Sequence, residues 1–370
     1  MKCRAMVLLD PKRLEMMEFE IPRVGPGEGL LRVEACGMCG TDLEQHRGTL
    51  ARTTAECYPV IPGHEPVGII EEISPEAERA WGVKRGDRVA LLPNICCGLC
   101  ELCLGGEHHR CKGVLPFPRS AYGFVPTTYG HGLWGGFSEY IHLHPRSLMC
   151  KVPKEVPPQY ATMYQSIASG LRWAVQLPET AFNDTVLVLG CGQRGLAAVA
   201  ALRAAGVGTI IMTGLARDHF KLAQAKRLGA THTIMVDQED TVERVMQITN
   251  GRGVDVSVDV APKSAQTLVD AIEAVRAGGT IIIGSVKGMD SKALVSPDRI
   301  MYKELTIRGA FTQKLDSYQR SVELLTRNLE DLKPLHTHEM PIDQLDQALK
   351  MLAGEVPGVE AICISVHPSL

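Results

Sequence analysis

This 370-residue chain has neither a long apolar run nor an excess of charge of either sign. No stretch approaches the ~18 consecutive apolar residues of a membrane span. Near the N-terminus only Ala5 to Leu9 is apolar. That is too short for the h-region of an export signal, and no small-residue cleavage site follows it. These absences predict a cytoplasmic protein with no membrane partner. Lys and Arg number 39 against 42 Asp and Glu, a formal net charge of -3. No basic run stands out, so the broad positive field that holds nucleic acid is excluded. Internal repeats and low-complexity linkers are also missing. What remains is a globular composition, 45% hydrophobic and 22% charged, with length for two domains.

Up to about residue 160 the chain is rich in Gly, Pro, Cys and His. Its short apolar runs, such as Leu30 to Val33 and Val67 to Ile70, are bounded by turn residues. This reads as an irregular, largely β domain. From about Asn183 the texture changes. Thr185 to Leu189 is a continuous apolar run suited to a strand buried on both faces. Leu196 to Ala205 is an Ala- and Leu-rich helix closed by Gly206. Strands follow at Thr209–Met212, Ile234–Val236, Val254–Val260 and Thr280–Ile283, with helices at His219–Leu228 and Ser264–Arg276. Such alternation predicts a doubly wound parallel sheet. Ile307–Ala310 and Ala361–Val366 read as strands of a tail that returns to the first domain.

Twelve cysteines could suggest disulfides, but they are bunched, and bunching in a reducing compartment favours metal. Cys97, Cys100, Cys103 and Cys111 form the strongest local signal. Four thiolates at these spacings can enclose a tetrahedral zinc at about 2.3 Å, with no open position, as in a structural site. Cys96 could replace Cys97 as the first ligand; the regular two-residue gap selects Cys97. His108 and His109 read as surface polar residues, since four sulfurs suffice.

Two further stretches carry different chemistry: Cys36-Gly-Met-Cys39-Gly-Thr41-Asp42, and Pro62-Gly-His64-Glu65-Pro-Val-Gly68. A Cys and a His can ligate zinc while leaving a position for substrate. Taken singly, the first could equally be a redox pair or half of another zinc site, and the second a hydrogen-bonded His–Glu pair.

Gly190-Cys-Gly192-Gln193-Arg194-Gly195 follows a buried strand and opens a helix. In that context it reads as a dinucleotide loop: Gly190 for the tight turn, Gly192 for close approach to a pyrophosphate, Gly195 for helix–strand packing. The helix N-terminus faces the phosphates, and Arg194 either adds charge there or is solvated. The second strand should end in an acid if the cofactor is NAD. After Thr213 and Gly214 the first acid is Asp218, beside Arg217. Asp218 reaching a ribose gives NAD, the reading favoured; Gly214 and Arg217 receiving a 2′-phosphate gives NADP.

In this order, and with Gly86-Asp-Arg-Val89 and Gly132-Leu-Trp-Gly-Gly-Phe-Ser-Glu-Tyr140 between them, these motifs resemble the zinc-containing medium-chain alcohol and polyol dehydrogenases. The branch resembles polyol, threonine and secondary-alcohol dehydrogenases more than the liver-type enzymes. The resemblance spans nearly the whole chain. It implies a GroES-like catalytic domain, 1–160 completed by 306–370, and a Rossmann domain, 161–305. It implies Cys39 and His64 as catalytic zinc ligands, Glu65 as the adjacent acid and Thr41 as the hydroxyl that passes the substrate proton. Cys36 is a non-ligand, a small buried hydrophobe. Two zinc ions per chain, NAD(P) and a small alcohol or carbonyl substrate follow, with hydride transfer in the interdomain cleft. A homodimer or homotetramer is the family habit, with Thr280–Ile283 and the region after Gly284 as a contact.

Two positions depart from the family. Its third ligand should fall near Gln165, a neutral amide and a poor zinc ligand, which leaves Glu65 to supply the third bond. The proton-relay His five residues after Cys39 is replaced by Glu44, with His46 two residues beyond, either a substitute or an exposed surface residue. An NADP-dependent carbonyl reductase, or a zinc-stabilised nucleotide-binding protein without catalysis, are the alternatives. Tyr122, Tyr129, Trp134 and Trp173 are pocket candidates that fit a core equally well.

Overall fold

The computed structural model describes residues 1–50, 58–117 and 119–370. The chain begins with a hairpin, β1 (Lys2–Asp10) and β2 (Arg13–Glu20), paired antiparallel. It continues with β3 (Gly29–Met38), β4 (Glu65–Ile73), β5 (Arg88–Leu91), β6 (Tyr140–Leu143) and β7 (Met149–Lys151). A second series follows: β8 (Thr185–Leu189), β9 (Thr209–Gly214), β10 (His232–Met235), β11 (Val254–Asp259), β12 (Val275–Ile283) and β13 (Thr306–Gly309). The chain then adds β14 (His336–Pro341) and β15 (Cys363–His367).

Two compact units result. The first comprises Met1–Gln165, Lys314–Leu329 and His336–Leu370, and the second Ser166–Gln313 and Glu330–Leu335. In the first unit β14, β15, β3, β4, β5 and β7 lie side by side, and β6 also pairs with β3. β3 is the hub. It is antiparallel to β4, β6 and β15, and eight of its ten residues are buried. Leu31, Val33, Ile70, Val89, Leu91 and Ile141 pack the core between these strands, with Tyr122 and Trp134 among them. β3 and β4 approach closely because Gly68 lacks a side chain; a Cβ there would lie 2.2 Å from the Arg32 carbonyl oxygen.

The second unit holds an all-parallel sheet in the order β10-β9-β8-β11-β12-β13. This is the Rossmann order, with the reversal between β8 and β11. The central strands β8, β9 and β11 are buried almost throughout, as interior strands of a parallel sheet are. Leu187, Leu189, Ile211, Ile234, Val254 and Ile281 form one contiguous core. The helix Gln193–Ala204 buries eight of its residues, Gly195 to Leu202. No helix among the described residues is long and apolar enough to cross a membrane.

Two sequence expectations shift. The helix read as Ser264–Arg276 is Gln266–Ala274, and β12 starts at Val275, where it pairs with Val254. Thr306–Gly309 extends the parallel sheet by pairing with β12, so the second unit runs to Gln313 rather than ending at 305. Sheet membership is set by pairing partners, which a four-residue strand does not reveal.

Candidate active site

The register of β3 against β4 sets Gly37 opposite Glu65 and Cys36 opposite Pro66. Residues separated by 25 positions are thereby brought together: Cys39 Sγ lies 3.3 Å from His64 Nε2. With a Glu65 carboxylate oxygen, these ligand atoms all fall within 4.8 Å of one another, and all three residues are buried. A tetrahedral ion at Zn–S and Zn–N distances of about 2.3 and 2.1 Å would separate sulfur from nitrogen by about 3.6 Å. The donor set fits zinc.

Cys39 is the N-cap of the helix Gly40–Arg47. The Thr41 amide donates to its Sγ at 3.4 Å, and its own amide donates to Asp42 Oδ2 at 2.9 Å. Amide donors and the helix N-terminus thus face the sulfur. The other Asp42 oxygen, Oδ1, stands 3.2 Å from His64 Nδ1. This places a carboxylate in ion-pair range behind the imidazole and leaves Nε2 toward the ligand set; a carboxylate in that place is a common neighbour of a metal-binding His. Asp42 is 2% exposed. In the sequence, Asp42 is marked only by its capping position three residues after Cys39.

Gln165 donates its amide to Glu65 Oε1 at 3.0 Å, and Tyr318 donates to Gln165 Oε1 at 3.5 Å. The amide therefore orients the carboxylate. Thr41 lies half-buried in the first helical turn, and Glu44 one turn further; Glu44 is outside the converging donors among the described residues. His46 is not an exposed surface residue. It is largely buried, with Nε2 3.8 Å from Asp346 Oδ1, in a cavity of about 280 Å³ shared with Leu43, Arg47 and Leu349. Burial lowers its pKa. Cys36 is fully buried, with its thiol on the Gly37 carbonyl and its pKa driven up by burial. The His64 ring packs against Phe124 at 5.4 Å.

The second cluster is Cys97, Cys100, Cys103 and Cys111. The Cys97–Cys103, Cys100–Cys111 and Cys111–Cys97 sulfur separations are 3.9, 3.8 and 3.6 Å. A tetrahedral Zn–S₄ site has an edge of about 3.8 Å, whereas a disulfide requires about 2.05 Å. Amides of Cys97 and Gly113 donate to Cys111 Sγ, and that of Cys100 to Cys97 Sγ. Backbone donors from Leu99 and Cys100 lower the Cys97 thiol to about 6. Cys96 turns away to the His108 carbonyl, and burial raises it to about 12. His109 is not a surface residue: it is 8% exposed, with Nε2 3.3 Å from Glu107.

In the second unit the Gly190–Gly195 turn joins β8 to the helix Gln193–Ala204. Gly190 has φ +104, and a Cβ on Gly195 would lie 1.9 Å from the Gly190 carbonyl oxygen. At Gly192, the N-cap, a Cβ would meet nothing within 4 Å, so the helix N-terminus is open to a ligand. The Thr213 hydroxyl accepts the Gly190 amide at 3.2 Å, which ties the strand end to the turn. Asp218 caps its own turn, accepting the Leu215 amide at 3.1 Å and facing Lys221 at 3.5 Å. Arg217 is exposed. Tyr122, Trp134 and Trp173 are core residues, each 3% exposed or less, and Tyr129 packs beside Trp134.

Known proteins extend this geometry. A zinc-binding dehydrogenase model matches residues 195–327, and an alcohol dehydrogenase GroES-like domain model matches residues 25–154. A probable alcohol dehydrogenase of Mycobacterium tuberculosis is 40% identical over 361 residues, covering 97% of this chain and 96% of its own. An erythritol/L-threitol dehydrogenase of Mycolicibacterium smegmatis is 29% identical over 377 residues, covering 100% and 98%. The solved structure of an alcohol dehydrogenase from Thermotoga maritima matches with a TM-score of 0.87 and 26% identity, over 100% of both chains. The chain belongs to the zinc-containing medium-chain dehydrogenase family, with a GroES-like domain and a Rossmann domain, and is an oxidoreductase that acts on alcohols.

Proposed function

We propose that this enzyme transfers hydride between a secondary alcohol or polyol and NAD(P), with one catalytic and one structural zinc per chain. The observation that carries the reading is the convergence of Cys39, His64 and Glu65 with Asp42 behind the imidazole. Bound zinc would supply Lewis acidity toward the alcohol oxygen, and the nicotinamide the hydride acceptor. Cys39 and Glu65 contribute two negative charges to the metal position and His64 a neutral imidazole. Gln165 holds the carboxylate in place through its amide. Thr41 Oγ1 is assigned to take the substrate's hydroxyl proton. Glu44, one turn on along the same helix face, is assigned to receive it next. Cys97, Cys100, Cys103 and Cys111 would hold the structural ion. Such thiolate clusters suit the reducing cytoplasm.

The nucleotide turn supports NADP over the NAD reading favoured from sequence. Asp218 Oδ2 accepts the Leu215 amide and Oδ1 faces Lys221, while the exposed Arg217 offers charge for a 2′-phosphate. A homodimer is proposed through β13, an edge strand with all four residues exposed, flanked by exposed Met301, Tyr302 and Phe311; such an edge invites pairing with a second copy. Zinc analysis of purified protein, and rates on a panel of secondary alcohols and polyols with each cofactor, test the reading. Two zinc per chain and faster turnover with NADP are expected. One zinc, or no turnover with any alcohol, refutes it. Sedimentation of wild type and Ile307→Lys tests the dimer.

A further inference from the structure

We infer that Trp173 is a positioning residue that fixes Arg194 as a ligand for the phosphates of the dinucleotide. This rests on the nucleotide reading of the Gly190–Gly195 turn. Arg194 is the second residue of the helix that opens after Gly192. Its guanidinium carbon lies 5.2 Å from the Trp173 ring centroid, over the indole, within the range of a cation–π contact.

The indole is itself immobilised. Trp173 is 2% exposed and lies in the π-helical segment Leu171–Gln176. Its Nε1 donates to the Thr312 carbonyl at 3.2 Å, which also accepts Arg172 Nη1 at 3.4 Å. Gly284, just beyond β12, leaves room for the ring: a Cβ there would come within 2.8 Å of Trp173 Cε3. Three separate segments thus hold one aromatic face.

The consequence for binding is entropic as well as electrostatic. A long arginine at a helix start loses rotamer freedom when it engages an anion. Stacked on a fixed ring, Arg194 has surrendered much of that freedom beforehand, and its planar fork suits two phosphate oxygens at once. The open Gly192 amide and the helix dipole meet the same charge.

The test is calorimetric titration of the zinc-loaded protein with NADH, NADPH and adenosine. Arg194→Gln should weaken both dinucleotides about tenfold, the lower range for a hydrogen bond to a charged group. Adenosine, which lacks phosphate, should bind unchanged. Trp173→Phe keeps an aromatic face and should stay within about twofold. Trp173→Leu should match Arg194→Gln, and the double variant should lose no more than either alone. In turnover, KM for the cofactor should rise while kcat holds. Should Trp173→Leu fail to fold, Arg194→Lys, which keeps charge but not the planar fork, should fall between wild type and Arg194→Gln. Additive losses in the double variant, equal weakening of adenosine, or wild-type affinity in Arg194→Gln would overturn the inference. Wild-type protein that binds neither dinucleotide sinks the nucleotide reading itself.

Discussion

Asp42 Oδ1 stands 3.2 Å from His64 Nδ1, in a place where both side chains are almost fully buried. A carboxylate that orients a ligating imidazole commonly governs metal affinity 10–100-fold. Asp42→Ala should therefore lower affinity for the catalytic zinc by about that factor. Zinc retained by purified protein during competition with a graded chelator measures it. Unchanged retention would remove Asp42 from the site's design.

Gln165 spans from Glu65 to Tyr318. A buried carboxylate deprived of a charged hydrogen bond loses about 1.5–3 kcal/mol. Gln165→Leu should slow alcohol oxidation about 10–100-fold, with the structural zinc kept. Replacement of the catalytic zinc by cobalt gives a visible spectrum whose thiolate band should still report a single sulfur. A second sulfur would contradict the assigned donors.

Sulfur separations of 3.6–3.9 Å in the four-cysteine cluster predict a clean contrast. Cys111→Ser should reduce zinc by one ion per chain and lower the melting temperature. Cys96→Ser should leave the zinc count intact, because that thiol faces the His108 carbonyl. Elemental analysis of both variants decides between Cys96 and Cys97.

Burial, with help from neighbouring histidines, presses His131 down to about 3 and His336 to about 4. An unfolded histidine titrates near 6.5. Below that pH the unfolded chain binds protons that the folded chain refuses, so stability falls as pH drops from about 6.5 and the loss ends only at the folded values. Near pH 5 these two residues together contribute about 2.7 kcal/mol per pH unit. His131→Phe should make the slope of stability against pH shallower by one proton, read from denaturant titrations at several pH values. Identical slopes would show that His131 is protonated in the folded protein.

The parts of this protein legible from sequence are those in which function is written locally. The four-cysteine lobe lies within fifteen residues and its spacing suffices. The glycine turn announces itself between a buried strand and a helix start. Cys39 and His64 are different. Each was ambiguous alone, and only the β3–β4 register makes them one site; family resemblance, not spacing, paired them in advance. The contacts of Gln165 and Asp42 were illegible because each depends on which way a buried side chain turns. Asp218 was legible as an acid after the second strand, but not its partners, the Leu215 amide and Lys221. His46 and His109 read as surface residues because polarity alone says nothing of a neighbouring helix or of Glu107.

β3 is held on one side by β4 and on the other by β15, which sets Ser365 against Gly37 and Val366 against Cys36. The strand that leads into Cys39 thus waits, during synthesis, for a partner encoded after the entire parallel-sheet unit. Domains tend to form in the order they leave the ribosome. In this topology the first unit to emerge is the last to be finished, since the strand beside Cys36 and Gly37 is supplied by the chain's final residues.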